Sequence, residues 1–138
     1  MRLPLVCLAA TAFLLLPGCA EGDDRLNLLT GTVVMDPNGG PFGSAEVDVM
    51  TQNGAGLFWK WWTEDGQELY FELHRHTPDG GSITIDDHRG DGDEQEWSVA
   101  GGGARSLLWV NPGEEPVTLR YEVWGAYELL GVYPPQDA

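Results

Sequence analysis

The chain has 138 residues, with 22 Asp and Glu against 7 Lys and Arg, for a formal net charge of −15. A field of that sign repels nucleic acid and anionic lipid headgroups and favours cations or basic partners, which removes nucleic acid from the candidate ligands. The two cysteines, Cys7 and Cys19, both lie near the start, while the six tryptophans all lie beyond residue 50. Packing must therefore stabilise a domain of this size, which buries roughly two thirds of its unfolded surface.

In chain order, the first element is a targeting segment. Met1-Arg2, an apolar run over residues 3–16 and the small residues before Cys19 are the parts of a secretory signal. The run Leu16-Pro17-Gly18-Cys19 resembles the lipobox of a bacterial lipoprotein signal, which ends in Gly-Cys; Pro17 stands where a small or aliphatic residue is usual. The resemblance implies cleavage before Cys19, which becomes a diacylated, N-acylated first residue. Two or more acyl chains, at about 0.8 kcal/mol per buried methylene, hold a protein firmly on its membrane. Ala20 is not the aspartate that retains such proteins at the inner membrane, so the resemblance implies the periplasmic face of the outer membrane. The competing reading is an ordinary secretory signal or an uncleaved anchor, although a spanning helix needs about 20 apolar residues. Cleavage removes Cys7 and Arg2 and modifies Cys19. The mature chain then has no thiol for a disulfide, a zinc thiolate site or a nucleophile, and a charge of −16.

Residues 19–25 are short and polar, as a tether between lipid and domain would be. Residues 26–138 then alternate apolar and β-branched runs with turn clusters such as Asp36-Pro37-Asn38-Gly39-Gly40, Asn53-Gly54, Asp65-Gly66, Pro78-Asp79-Gly80-Gly81 and Asn111-Pro112-Gly113. This punctuation predicts an all-β, antiparallel β-sandwich of about seven to nine strands, with no helix after the signal. Strands are expected over residues 29–35, 45–50, 58–62, 68–76, 82–86, 95–100, 105–110 and 117–124. Period-two alternation sets Leu69, Phe71 and Leu73 against Tyr70, Glu72, His74 and His76, and turns Val117, Leu119, Tyr121 and Val123 inward.

The stretches Trp62-Thr-Glu-Asp-Gly66, Leu69-Tyr-Phe-Glu-Leu-His74, Leu107-Leu-Trp-Val-Asn111, Pro116-Val-Thr-Leu-Arg-Tyr-Glu-Val123 and Gly125-Ala-Tyr127 resemble a GOLD-type, jelly-roll-like β-sandwich. They are similar to Golgi-dynamics cargo-receptor domains and to bacterial envelope proteins described as transmembrane anchor proteins. The resemblance covers roughly residues 47–131. It implies a membrane-held β domain that binds protein partners in the envelope, without catalysis. The disulfide of the eukaryotic domains has no counterpart in this chain.

Two sites are candidates. Phe58-Trp59-Lys60-Trp61-Trp62 puts aromatics on both faces of one strand: Trp59 and Trp61 on one, Phe58, Lys60 and Trp62 on the other. One set is core; the other is either covered by the N-terminal strands or is an open ligand-binding face. Glu72, His74 and His76 share a strand face with about 6.5 to 7 Å between alternate side chains. With His88 swinging in from the acidic segment 86–94, they form a candidate divalent transition-metal set. That segment lacks the calcium-loop spacing and reads as a solvated hairpin loop. No cofactor other than the lipid and that metal is expected. A hydrolase is the remaining alternative: carboxylates abound, but Gly-x-Ser-x-Gly is absent and Ser44, Ser82, Ser98 and Ser106 show no partner base.

Overall fold

The computed structural model describes residues 24–98 and 101–135. The signal segment, Cys19 and the start of the tether lie outside those residues, as does the end of the strand expected to reach residue 100. Among the described residues nine strands follow one another: β1 (Leu29–Met35), β2 (Ser44–Thr51), β3 (Gly56–Thr63), β4 (Leu69–His76), β5 (Ser82–Gly90), β6 (Gly92–Ser98), β7 (Gly103–Val110), β8 (Val117–Gly125) and β9 (Tyr127–Tyr133). One sheet has the order β1-β8-β3-β6 and the other β5-β4-β7-β2-β9. All pairings are antiparallel, so the fold is the β-sandwich expected from the sequence. Among the described residues the only helical element is a 3-10 turn at Pro37–Gly39, and no helix is long and apolar enough to cross a membrane.

Alternation builds the core. Val117, Leu119, Tyr121 and Val123 of β8 are buried, as are Leu69, Phe71 and Leu73 of β4 and Trp59 and Trp61 of β3. Phe71 sits at the centre, its ring 5.8 Å from Trp59, 6.0 Å from Trp61 and 5.7 Å from Trp109. Trp109 stacks on Tyr121 at 5.2 Å, and the Tyr121 ring fills the space a side chain would need at Gly31, directly opposite on β1: a Cβ there would lie 2.2 Å from the ring. So aromatic a core leaves donors stranded. The indole nitrogens of Trp59, Trp61 and Trp109 and the Tyr121 hydroxyl are buried without a hydrogen-bond partner among the described residues. Burial, and then proximity to Tyr127, pushes the Tyr121 pKa up to about 12.

Two elements differ from expectation. The acidic segment is strand, not a hairpin loop: β5 runs on to Gly90 and β6 starts at Gly92. Because β5 edges the five-stranded sheet and β6 the four-stranded one, the chain crosses between sheets at Asp91. The Asp91 carbonyl accepts from Thr63 N–H at 3.0 Å, and at Gly92 a Cβ would meet the Trp61 carbonyl at 2.9 Å. Charged edge strands suit this position, since charge there blunts edge-to-edge pairing. The second difference is β9, an edge strand beside β2 that the sequence did not announce, since Tyr-Glu-Leu-Leu-Gly-Val-Tyr does not alternate. Its pairing shifts register between Asp48 and Val49.

Candidate functional site

The two sheets turn outward faces of different chemistry to solvent. On the four-stranded sheet, β3 lies between β8 and β6, and its outward residues are Phe58, Lys60 and Trp62. β1 extends the same sheet beyond β8, so the N-terminal strands do not cover this face. Phe58 stacks on the cross-strand Trp124 at 5.7 Å and 9°, and the Arg25 guanidinium lies 4.6 Å above the Trp124 ring while pairing with Glu122. Lys60 stands between Glu94 and Glu122 on the neighbouring strands, with its ammonium 5.5 Å from the Trp62 ring. Arg120, opposite Trp62, donates to Glu64 at 2.6 Å. A shallow depression of about 520 Å³ runs over Thr30, Thr32, Trp62, Arg120 and Glu122. Arg25, Lys60 and Arg120 are half of the Lys and Arg that follow the signal segment. Alternation therefore separates Trp59 and Trp61, in the core, from Phe58 and Trp62, half-buried on an open face.

On the five-stranded sheet, β7 separates β4 from β2, and two cross-strand rows carry polar groups outward. One runs Glu46, Leu108, Glu72, Asp87; the other Asp48, Ser106, His74, Thr84. Ser106 is the smallest side chain in its row, so β2 and β4 reach each other over it. His74, 7% exposed, lies with Nδ1 3.3 Å from Glu72 and Nε2 3.7 Å from Glu46. His76 meets the His74 ring edge-on at 5.2 Å. Glu72 accepts hydrogen bonds from Tyr70 at 3.0 Å and Thr84 at 3.1 Å. Partial burial, and then the acceptors Glu72 and Asp87, push the Tyr70 pKa up to about 12. Burial, followed by the neighbouring Asp48 carboxylate, raises the Glu46 carboxyl above its ordinary value. Glu46, His74 and His76 bring one ligand atom each to within 4.8 Å of the others.

Of the four metal candidates read from the sequence, the structure brings His74 and His76 together and places Glu72 behind His74. His88 lies elsewhere. It pairs with Phe71 across β4 and β5, so its ring points into the sandwich, 5.3 Å from Phe71 and 6.0 Å from Trp61, with Nε2 3.5 Å from Asp93. Glu46 and Asp48, absent from that set, come from a strand far away in sequence. Their outward direction is readable from the alternation of β2, but not the strand order that carries them to His74.

Ser106 also gains a partner that the sequence does not show, with its Oγ 2.7 Å from His76 Nε2. The arrangement is not that of an activated nucleophile. Ser106 Oγ is also held by Asp48, and the serine is fully buried, so its hydroxyl is engaged on both sides and closed to solvent.

No protein-family model and no curated protein sequence matches the chain. Among solved structures, the crystal structure of Yersinia pseudotuberculosis-derived mitogen superposes with a TM-score of 0.51 at 16% identity, over 72% of this chain and 86% of that one. Cowpea mosaic virus, as an empty virus-like particle, gives 0.42 at 9% identity over 87% of this chain and 90% of the viral one. Broad bean stain virus gives 0.42 at 7% identity over 86% and 97%. The mitogen is similar in fold; at that identity the likeness extends to β-sandwich architecture alone.

Proposed function

We propose that this chain is a lipid-anchored, non-catalytic accessory module of a bacterial envelope that binds a protein partner through the outer face of its four-stranded sheet. The observation that carries the reading is the open aromatic face itself. Phe58, Trp62 and Trp124 lie half-buried there, with Arg25, Lys60 and Arg120 among them, in a chain otherwise dominated by acids. Trp and Arg are the residues that most often anchor protein interfaces, because each combines a large apolar area with a directional polar group. Glu94 and Glu122 on either side of Lys60 keep the face from being uniformly basic. It therefore favours a partner of mixed charge over an anionic polymer.

The anchor supports the same reading. Arg25, six residues after Cys19, lies over Trp124 on this face. At no more than about 3.6 Å per residue, the tether holds the Arg25 end of the face within roughly 22 Å of the acylated cysteine. A partner in or beside the same membrane is then within reach, at the periplasmic face of the outer membrane by the identity of Ala20. Two experiments test the reading. Cys19→Ser should move the exported protein from the membrane to the soluble fraction; unchanged membrane association would contradict the anchor. A photocrosslinking residue at position 62 should give a discrete protein adduct in cells that Lys60→Glu abolishes. The same adduct in equal yield from position 85, on the edge of the other sheet, would contradict the face.

A further inference from the structure

We infer that Glu46, His74 and His76 form a binding site for a divalent late transition-metal ion, zinc or copper(II), on the outer face of the five-stranded sheet. It is a second site, on the sheet opposite the aromatic face, and does not depend on how that face is used.

The ligand types match. Two imidazoles and one carboxylate are the donor set that zinc and copper accept and that calcium or magnesium, which prefer all-oxygen shells, do not. The spacing matches as well. A tetrahedral site with bonds of about 2.0–2.1 Å separates its ligand atoms by roughly 3.3 Å. These three atoms already lie within 4.8 Å of one another, and the side chains that must close the remainder are the more exposed ones, Glu46 and His76. The best-buried ligand, His74, is also the best positioned. Metal-bound histidines characteristically give their second ring nitrogen to a carboxylate, which fixes the ring and leaves the other nitrogen for the ion. His74 has the groups for that arrangement beside it, without the hydrogen bond itself: Nδ1 lies 3.3 Å from a Glu72 oxygen but is not bonded to it, Glu72 is held by Tyr70 and Thr84, and Nε2 is turned toward Glu46. Ser106, braced by Asp48, holds one edge of His76 in the same way.

Charge completes the argument. Glu46, Asp48 and Glu72 gather three carboxylates around two imidazoles, and no Lys or Arg forms an ion pair with any of them among the described residues. A bound cation supplies the missing positive charge. With three protein ligands the ion keeps an open coordination position, filled by water or by a group from a partner.

The test is calorimetric titration of the whole chain, purified in detergent and stripped of metal, with zinc, copper(II) and calcium chlorides. The expected result is one zinc per chain with a Kd on the order of micromolar or tighter, tighter binding of copper(II) as the Irving–Williams order requires, and no heat from calcium. His76→Ala and Glu46→Gln, both at accessible positions, should each weaken zinc by at least the roughly 10–100-fold that loss of even an outer-shell partner costs. Near-UV circular dichroism confirms that each variant is folded. His88→Gln, Lys60→Glu and Trp62→Ala should leave the affinity unchanged. Absence of zinc binding at millimolar concentration would overturn the inference, as would affinity retained in the His76→Ala/Glu46→Gln double variant or lost equally in His88→Gln.

Discussion

The two outward faces of this sandwich use the same strand geometry for opposite chemistry. On the four-stranded sheet the outward positions hold rings with cations laid over them, Arg25 above Trp124 and Lys60 beside Trp62. On the five-stranded sheet they hold imidazoles ringed by carboxylates, with hydroxyls from Tyr70, Thr84 and Ser106 fixing the acids in place. The first arrangement is broad, half-buried and tolerant, and suits a macromolecular surface. The second is compact and braced, as an ion requires. A sandwich core is indifferent to what its outward positions carry, so one fold presents two faces of unrelated chemistry without either disturbing the packing between them.

Separating core from face within β3 gives the largest contrast. Trp59→Ala should cost about 3–5 kcal/mol in urea denaturation because it empties a position packed on Phe71. Trp62→Ala, three residues on and facing outward, should cost less than about 1 kcal/mol. Equal costs would erase the distinction between buried and open aromatics. Gly31→Ala comes next. The new Cβ would collide with a Tyr121 ring held against Trp109, and a loss of about 1–3 kcal/mol is expected. No loss would mean that ring has room to move.

Tyr121→Phe probes the interior between the faces and has the smallest effect. It removes a buried hydroxyl with no hydrogen-bond partner among the described residues, so stability at neutral pH should rise by about 1 kcal/mol. The pH dependence has a definite sign. Because the folded pKa is raised from 10.0 to about 12, folding holds this proton more tightly than the unfolded chain does. The corresponding stability is fully present below pH 10 and is lost as pH rises through about 12. The Phe variant should therefore show a shallower decline than the parent between pH 10 and 12, with the remaining slope including Tyr70, whose pKa is also about 12. Parallel curves would place the Tyr121 hydroxyl in contact with water.

Much of the fold was legible because a strand with one buried face repeats every two residues. That period separates Trp59 and Trp61 from Phe58, Lys60 and Trp62, and sets Glu72, His74 and His76 on one side of β4. What it does not encode is which strands become neighbours. β7 between β4 and β2 puts the small Ser106 under both edges of the imidazole cluster and carries Glu46 to His74. Each strand alone shows only that these residues point outward. His88 was misplaced for a related reason. In the polar run of residues 86–94 it is the only ring, and an edge strand needs just one inward ring to cover Phe71, a requirement that is invisible until the sheet is assembled. β9 went unseen because its apolar residues are consecutive and its pairing with β2 shifts register.

The separation of the two faces is tested most directly by zinc titration of the whole chain with the three histidine imidazoles and the six tryptophan indoles followed by NMR. The account predicts that zinc shifts the imidazole signals of His74 and His76 and leaves His88 and the indoles of Trp62 and Trp124 in place. Movement of the Trp62 and Trp124 signals, or equal shifts at all three histidines, would contradict it.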